Sequence, residues 1–264
     1  MRARVGSSRP LRCSSALGTC CVPNPEGRGR ASKTKPPAPR RVVVTAGPTR
    51  ERIDPVRYLS NDSSGKMGFE IARAAAERGD QVILIAGPVD QKTPPGVIRV
   101  DVESARDMLG AVKTAFLGSE SRAKGSFGKK GGDALFMAAA VGDWRPKRRL
   151  SGKWRAKDGG DEVASLELVK NPDILATVGR RKGSRLVVGF ALETGSGLKR
   201  AMAKLNRKSA DFIVLNNETA LGANRTTVAI LGKDGSRVNI TNKTKRDVAR
   251  ALVQLHYSNS APAE

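Results

Sequence analysis

The stretch "RVVVTAGPTRERIDPVRYLSNDSSGKMGFEIARAAAERG" (Arg41–Gly79) decides the fold. It opens on a short apolar strand, "RVVVTA", and closes on a segment of helical spacing that Gly79 stops. Between them lies "YLSNDSSGKMG" (Tyr58–Gly68), where small and turn-forming residues run together ahead of Lys66 and Gly68. A loop of small residues between a strand and a helix N-terminus turns backbone N–H groups toward whatever sits above it. Such a loop suits an anion.

Outward from this unit the same alternation repeats. "QVILIAG", "VIRVDV", "DALFMAAAV", "LVVGFALET" and "ADFIVLN" read as further strands. "SARDMLGAVKTAF", with Ser104 as N-cap, "NPDILATVGRR", "GLKRAMAKLNRK" and "KTKRDVARALVQLHY" read as helices. "TTVAILGKDGSRVNI" reads as a hairpin turning at Asp234-Gly235. Strands written as continuous apolar runs between helices imply a mostly parallel sheet covered on both faces. The expected class is therefore α/β, Rossmann-like, with a small antiparallel hairpin appendage. Ligands of such sheets bind beyond the carboxyl ends of the strands. The loops after Ala46, Ala139 and Phe190 are expected to face one crevice.

The 264-residue chain is 39% hydrophobic, enough for one sizeable domain with appendages. No apolar run reaches the ~18 residues of a membrane span. Residues 1–39 are rich in Arg, Ser, Gly and Pro and read as a disordered basic leader. They are compatible with a targeting peptide, a misplaced start codon or a plain tail. The domain runs from 40 to 258, with a flexible basic insert at 118–132, a lid at 145–160 and a disordered tail at 259–264. The formal net charge is +23. Residues 1–40 carry nine basic residues against the single acid Glu26, which leaves about +15 on the rest. A basic body attracts nucleotides, phosphorylated metabolites or nucleic acid; a proteome-wide basic bias would give the same charge.

All three cysteines, Cys13, Cys20 and Cys21, lie in the leader, and His256 is the one histidine. A Ser-His-Asp triad, a Cys-His pair and a His/Cys zinc site are thus unsupported in the body. Chemistry must rest on Lys, Arg, Asp, Asn, backbone amides and a hard metal such as Mg²⁺. Two phosphate motifs also fail. A Walker A loop needs glycine at the position of Ser60 and Ser or Thr at that of Met67. "AGPTRERID" lacks the G-x-G-x-x-G of a dinucleotide fold.

Taken whole, "TAGPTRERIDPVRYLSNDSSGKMG" (Thr45–Gly68) resembles the opening of the phosphopantothenate–cysteine ligase family, bacterial CTP-dependent type. The likeness continues in "AAAVGDW" (138–144), "LELVKNPDIL" (166–175), "VVGFALET" (187–194) and "KLNRKSADFIVLN" (204–216). It spans Arg41 to Tyr257 in five ordered motifs. The flavin-dependent decarboxylase half that bacterial relatives often carry upstream does not fit in the leader, so a separate decarboxylase is expected.

The resemblance implies a cytoplasmic enzyme of coenzyme A synthesis. It implies joining of 4′-phosphopantothenate to L-cysteine, after CTP and Mg²⁺ convert the acid to an acyl cytidylate. It also implies a homodimer, with the hairpin at 226–240 as an interface element. Asn61 aligns with an asparagine that contacts the acyl group under activation, and Ser63, Ser64 and Gly65 with groups that approach the substrate phosphate. Met137, Ala138, Ala139 and Asp143 align with one nucleotide loop, and Val169, Lys170, Asn171 and Pro172 with a second. Phe190 aligns with a residue packed on the base, and Lys204 and Lys208, one helical turn apart, with lysines that hold the triphosphate. Lys153 aligns with the lysine heading a Lys-x-Lys-Lys run, which here reads "KWRA". The metal ligands are left open. Two other classes fit the composition: a nicotinamide oxidoreductase on a similar sheet, and a basic nucleic-acid-binding protein. The missing fingerprint disfavours the first. The second finds only Trp144, Trp154, two tyrosines and six phenylalanines, with no basic–aromatic stripe. Neither nucleic acid nor membrane is expected as a partner.

Overall fold

The computed structural model describes residues 38–120, 124–155, 165–192, 197–216 and 224–258. The leader up to residue 37, the tail at 259–264 and residues 156–160 of the expected lid lie outside them, as do 121–123 of the insert.

The chain runs β1 (Arg41–Ala46), β2 (Arg50–Arg52), β3 (Tyr58–Ser60), α1 (Lys66–Glu77), β4 (Gln81–Ala86), β5 (Val97–Asp101) and α2 (Ala105–Val112). A π-helical turn, Lys113–Leu117, ends α2, so the expected single helix changes pitch after Val112. Then follow β6 (Ala134–Met137), β7 (Trp144–Pro146), β8 (Leu168–Lys170), α3 (Ile174–Gly179), β9 (Leu186–Leu192), α4 (Leu198–Lys208), β10 (Phe212–Asn216), β11 (Arg225–Gly232), β12 (Arg237–Thr244) and α5 (Lys245–Ser258).

Eight strands form one sheet in the order β12-β11-β10-β9-β6-β1-β4-β5. From β10 to β5 every pairing is parallel; β11 and β12 are antiparallel. The hairpin therefore extends the edge of the main sheet beyond β10. Two short antiparallel pairs, β2–β3 and β7–β8, lie apart from it. Their three-residue strands carry no periodicity, and only tertiary pairing marks them.

The period of two along a strand divides the core into two layers. Val42, Val44 and Ala46 of β1 join Val82 and Leu84 of β4, Phe136 of β6, and Phe69 and Ile71 of α1 on one face, with Val248 and Leu252 of α5. Val43 joins Ile83, Ile85, Leu135, Met108 of α2, Ile174 of α3 and Leu205 of α4 on the other. Fully burying each Val, Leu, Ile or Phe contributes about 1.5–3 kcal/mol, an upper figure for a chain that is compact when unfolded. Burial on both faces explains why the strands read as unbroken apolar runs.

The order places β1 between β4 and β6, so the chain leaves β1 toward one half of the sheet and returns at β6 to build the other. The chain runs from β1 to α1 on one face and from β6 to α3 on the other, so the ends of β1 and β6 form the switch point beyond which such sheets bind their ligands. Gly68 lets α1 seat there: a Cβ on it would stand 2.5 Å from the Ala46 Cβ and 2.8 Å from the Thr45 carbonyl. No helix among the described residues is long and apolar enough to cross a membrane.

Candidate active site

The two loops of the switch point are stitched together. Pro48 pairs with Ala140 in a parallel bridge. Ala140 N–H donates to Gly47 O at 2.9 Å, and Thr49 N–H to Ala140 O at 3.3 Å. The buried Thr45 hydroxyl accepts from Ala139 N–H at 3.2 Å, and the Thr49 hydroxyl from Gly142 N–H at 2.9 Å. These two threonines hold the path of residues 139–142, and sequence reasoning passed over both. A buried hydroxyl that serves a backbone N–H has no pattern in a single sequence.

Asn61 lies exposed just past β3, and its Nδ2 donates to Ala140 O at 3.3 Å. The first loop thereby meets the second. Ser63 is half-buried and Ser64 exposed. Gly65 is buried and forms the N-cap of α1 with φ 71, in the left-handed region. A Cβ there would come within 3.3 Å of Val89 Cγ1 and 3.4 Å of Gly47 N. No side chain caps α1, and its first turn holds no acid. The start of a helix carries about half a positive charge and N–H groups without helical partners. Lys66 Nζ reaches Asn224 Oδ1 at 3.4 Å. Lys245 lies close enough that Lys66 acts on it: burial first, then the Lys66 charge, pulls its pKa below the ordinary lysine value. Two lysines therefore stand close together near the start of α1.

The second nucleotide loop of the sequence reading meets the first from the other side. Asn171 Nδ2 donates to Gly142 O at 2.8 Å, and Asn171 N–H to Asp143 O at 2.8 Å. Arg145 Nη1 bonds both Lys170 O and, at 3.2 Å, Asn171 Oδ1. Lys170 stands 5.6 Å from the centroid of the Trp144 ring. Val169, half-buried, pairs with Arg145 in the β7–β8 ladder, and Pro172 leads into α3. Asp173, the N-cap of α3, accepts Ala176 N–H at 2.9 Å and forms an ion pair with Lys208. Burial lowers the Lys208 pKa, and the Asp143 carboxylate opposes that shift. Lys208 is thus within electrostatic reach of Asp143, across from the loop it was grouped with.

The remaining residues divide. Met137 is buried at the end of β6, with its sulfur 3.8 Å from the Thr45 hydroxyl. Ala138 and Ala139 follow it, half-buried. Phe190 packs against the first core layer, and its carbonyl accepts from Lys204 Nζ at 2.7 Å. Lys204 and Lys208, grouped by spacing, reach different elements: β9 and the start of α3. Lys153 is exposed on the segment after β7. Among the described residues no three Asp, Glu, His or Cys side chains cluster as a metal site.

A doubly wound α/β protein whose loops are hydrogen-bonded together at the switch point of its sheet is the class that fold and site define. The chain belongs to the DNA/pantothenate metabolism flavoprotein C-terminal domain family, which matches residues 38–258. It is 39% identical over 220 residues to the coenzyme A biosynthesis bifunctional protein CoaBC of Bacillus subtilis (strain 168), across 81% of this chain and 50% of that one. It is 42% identical over 217 residues to the protein of the same name from Haemophilus influenzae, across 80% and 50%. The chain spans about half the length of these curated relatives. The crystal structure of the C-terminal domain of a coenzyme A biosynthesis bifunctional protein CoaBC matches with a TM-score of 0.67 at 38% identity, over 83% of this chain and 95% of that one.

Proposed function

We propose that this chain is the ligase that joins 4′-phosphopantothenate to L-cysteine, with CTP as the activating nucleotide. One observation carries the reading most: the Asn61 and Asn171 amides are hydrogen-bonded to Ala140 and Gly142 of one loop, next to an uncapped helix start, and none of these residues is a Cys or His. Such a set suits a reaction that needs phosphate cradles and oriented donors. In the first step a substrate carboxylate oxygen attacks the α-phosphorus of CTP, and pyrophosphate leaves. In the second the cysteine nitrogen attacks the acyl carbon, CMP leaves with the bonding electrons, and the amine loses a proton.

Each residue has a place in those steps. The open N-terminus of α1, with Ser63, Ser64 and Gly65, receives the phosphate of phosphopantothenate. Asn61 donates to the acyl oxygen as charge builds there. Lys208 leaves Asp173 for the triphosphate, and Lys204 assists from α4. Met137–Ala139, Asp143, Val169–Pro172 and Phe190 form the nucleotide side. Lys153 bears on the second step, where a cation offsets the charge of the attacked acyl group. Mg²⁺ enters with the triphosphate. A metal held through phosphate oxygens and one or two carboxylates suits a site where the Asp143 side chain is exposed.

Further parts of the proposal concern the assembly. The protein is a cytoplasmic homodimer, with no nucleic-acid or membrane partner. Edge strand β12, where Val238 is 48% exposed, supports a role for the hairpin in dimer contacts. The deciding assay is pyrophosphate release with phosphopantothenate and each nucleotide in turn. CTP is expected to exceed ATP in kcat/KM by about tenfold or more, about 1.4 kcal/mol in the transition state. Equal rates would remove the base selectivity. No release with any nucleotide would remove the ligase reading.

A further inference from the structure

Asp54 is a carboxylate with no exposed surface, in the turn between β2 and β3. Its two oxygens serve different parts of the chain. Oδ1 accepts Val56 N–H and Arg57 N–H, each at 2.7 Å, and so closes the turn. Oδ2 accepts Arg57 Nε at 2.9 Å, Arg57 Nη2 at 2.6 Å and Trp154 N–H at 3.0 Å. Trp154 is 100 residues away in sequence. Arg57 Nη2 also donates to Trp154 O, and its guanidinium lies 5.7 Å from the Trp154 ring centroid. Four residues earlier, Leu150 N–H donates to Ile53 O at 2.8 Å. The segment after β7 is therefore tied at two points to one turn.

The ends of that turn explain why the tie matters. β3 pairs with β2 and delivers the chain directly to Asn61. Trp154 immediately follows Lys153. One buried carboxylate thus connects the backbone that bears Asn61 to the backbone that bears Lys153. Burial alone would raise the pKa of Asp54. The N–H groups of Trp154, Arg57 and Val56 and the Arg57 guanidinium outweigh it and hold the carboxyl well below the usual range. The charge that makes the tie is present across the working pH range.

We infer that Asp54 is a positioning residue, which sets Lys153 at a fixed offset from Asn61 by holding the Trp154 backbone against the β2–β3 turn. The inference rests on the proposed role of Lys153 in the second half-reaction. No reacting atom touches Asp54; it acts through the chain it holds. A misplacement of about 1 Å in such a group can cost about 10²-fold in rate.

Asp54→Asn separates the two functions of the carboxylate. The amide oxygen still serves the Val56 and Arg57 N–H groups, but Nδ2 now faces three donors and cannot accept. Four results are expected. Hydrogen exchange of a peptide covering residues 150–155 becomes faster. The first-turnover burst of pyrophosphate, which reads the first step alone, stays within about twofold of the parent rate. Amide formation slows by about tenfold or more, with acyl nucleotide accumulating in acid-quenched samples. Asp54→Asn added to Lys153→Gln slows the second step no further.

Unchanged exchange at 150–155 overturns the tie itself. Faster exchange with amide formation at the parent rate overturns the positioning role. A parent rate in Lys153→Gln alone overturns the role of Lys153, and so the functional half of the inference, whatever Asp54→Asn does. If Asp54→Asn does not fold, Trp154→Pro removes the same N–H from the other side and leaves the turn intact. It is expected to accumulate acyl nucleotide, and parent behaviour in it overturns the inference.

Discussion

Two helices begin beyond the carboxyl ends of parallel strands in this sheet, and they begin in opposite ways. At α2 the start is closed. The Ser104 hydroxyl accepts Asp107 N–H, and the Asp107 carboxylate accepts Ser104 N–H at 3.0 Å. The buried Glu51 takes Ala105 N–H at 2.9 Å. At α1 the start is open, with a left-handed glycine as N-cap and no side-chain cap. A capping side chain at a helix start contributes about 0.5–2 kcal/mol. α1 forgoes that stabilisation where Asn61 and two lysines gather, and α2 takes it where no site forms. The closed start is capped by side chains, and the open start has no side-chain cap, which suits the anion proposed for it.

Four measurements would break or sharpen this contrast. Asn61→Ala is expected to have the largest effect, a loss of roughly 10²–10³ in the rate of acyl-nucleotide formation, about 2.7–4 kcal/mol. Its Tm should stay with the parent's, because the exposed side chain makes one long hydrogen bond at 3.3 Å. A rate near the parent's would leave the open start without its chemistry.

Gly65→Ala comes next. It places a Cβ on a residue at φ 71, which costs about 1–2 kcal/mol, and brings that Cβ close to Gly47 N and Val89. Both Tm and the affinity for phosphopantothenate, read by calorimetry, should fall. Retained affinity in a destabilised variant would mean that the loop serves folding only.

Ser104→Ala probes the closed start. Stability should fall by about 1 kcal/mol, with ligase kinetics unchanged. A change in kcat or KM would show that α2 also communicates with the crevice. The smallest effect is expected from removal of residues 1–37. The contact pattern divides the chain at Pro37, and residues 38–264 form a unit by themselves. Thermal unfolding and turnover of the shortened protein should match the parent within about 0.5 kcal/mol, the range of changes away from packed features. Loss of its cooperative transition would tie the leader to the fold.

Much of this was legible before any coordinates, for reasons that differ by region. The parallel sheet was legible because burial on both faces writes itself as unbroken apolar runs, as in "VILIA" of β4. Ser104 was legible as a cap because its partner lies three residues away. Asn61, Asp143 and Asn171 were found through an ordered set of motifs, and the hydrogen bonds that join their loops run through Ala140 and Gly142. The pairing of Lys204 with Lys208 by helical spacing was only half of the matter. Spacing says that two side chains share a face of a helix; it does not say that one reaches Phe190 O while the other reaches Asp173.

The sequence by itself determined the order of the main-sheet strands and the helices, and the class of sheet. Those features follow from local periodicity, glycine placement and short-range capping, which act within a few residues. Tertiary structure alone decided how the loops are held. Thr45 supports Ala139 from 94 residues away, and Asp54 holds Trp154 from 100. It also decided that β2–β3 and β7–β8 become strands at all. A buried donor or acceptor must find a partner wherever the fold brings one, and chain separation places no limit on where that is. Such pairings leave no period in the sequence, because each is a single contact between residues that the sheet order, and nothing local, brings together.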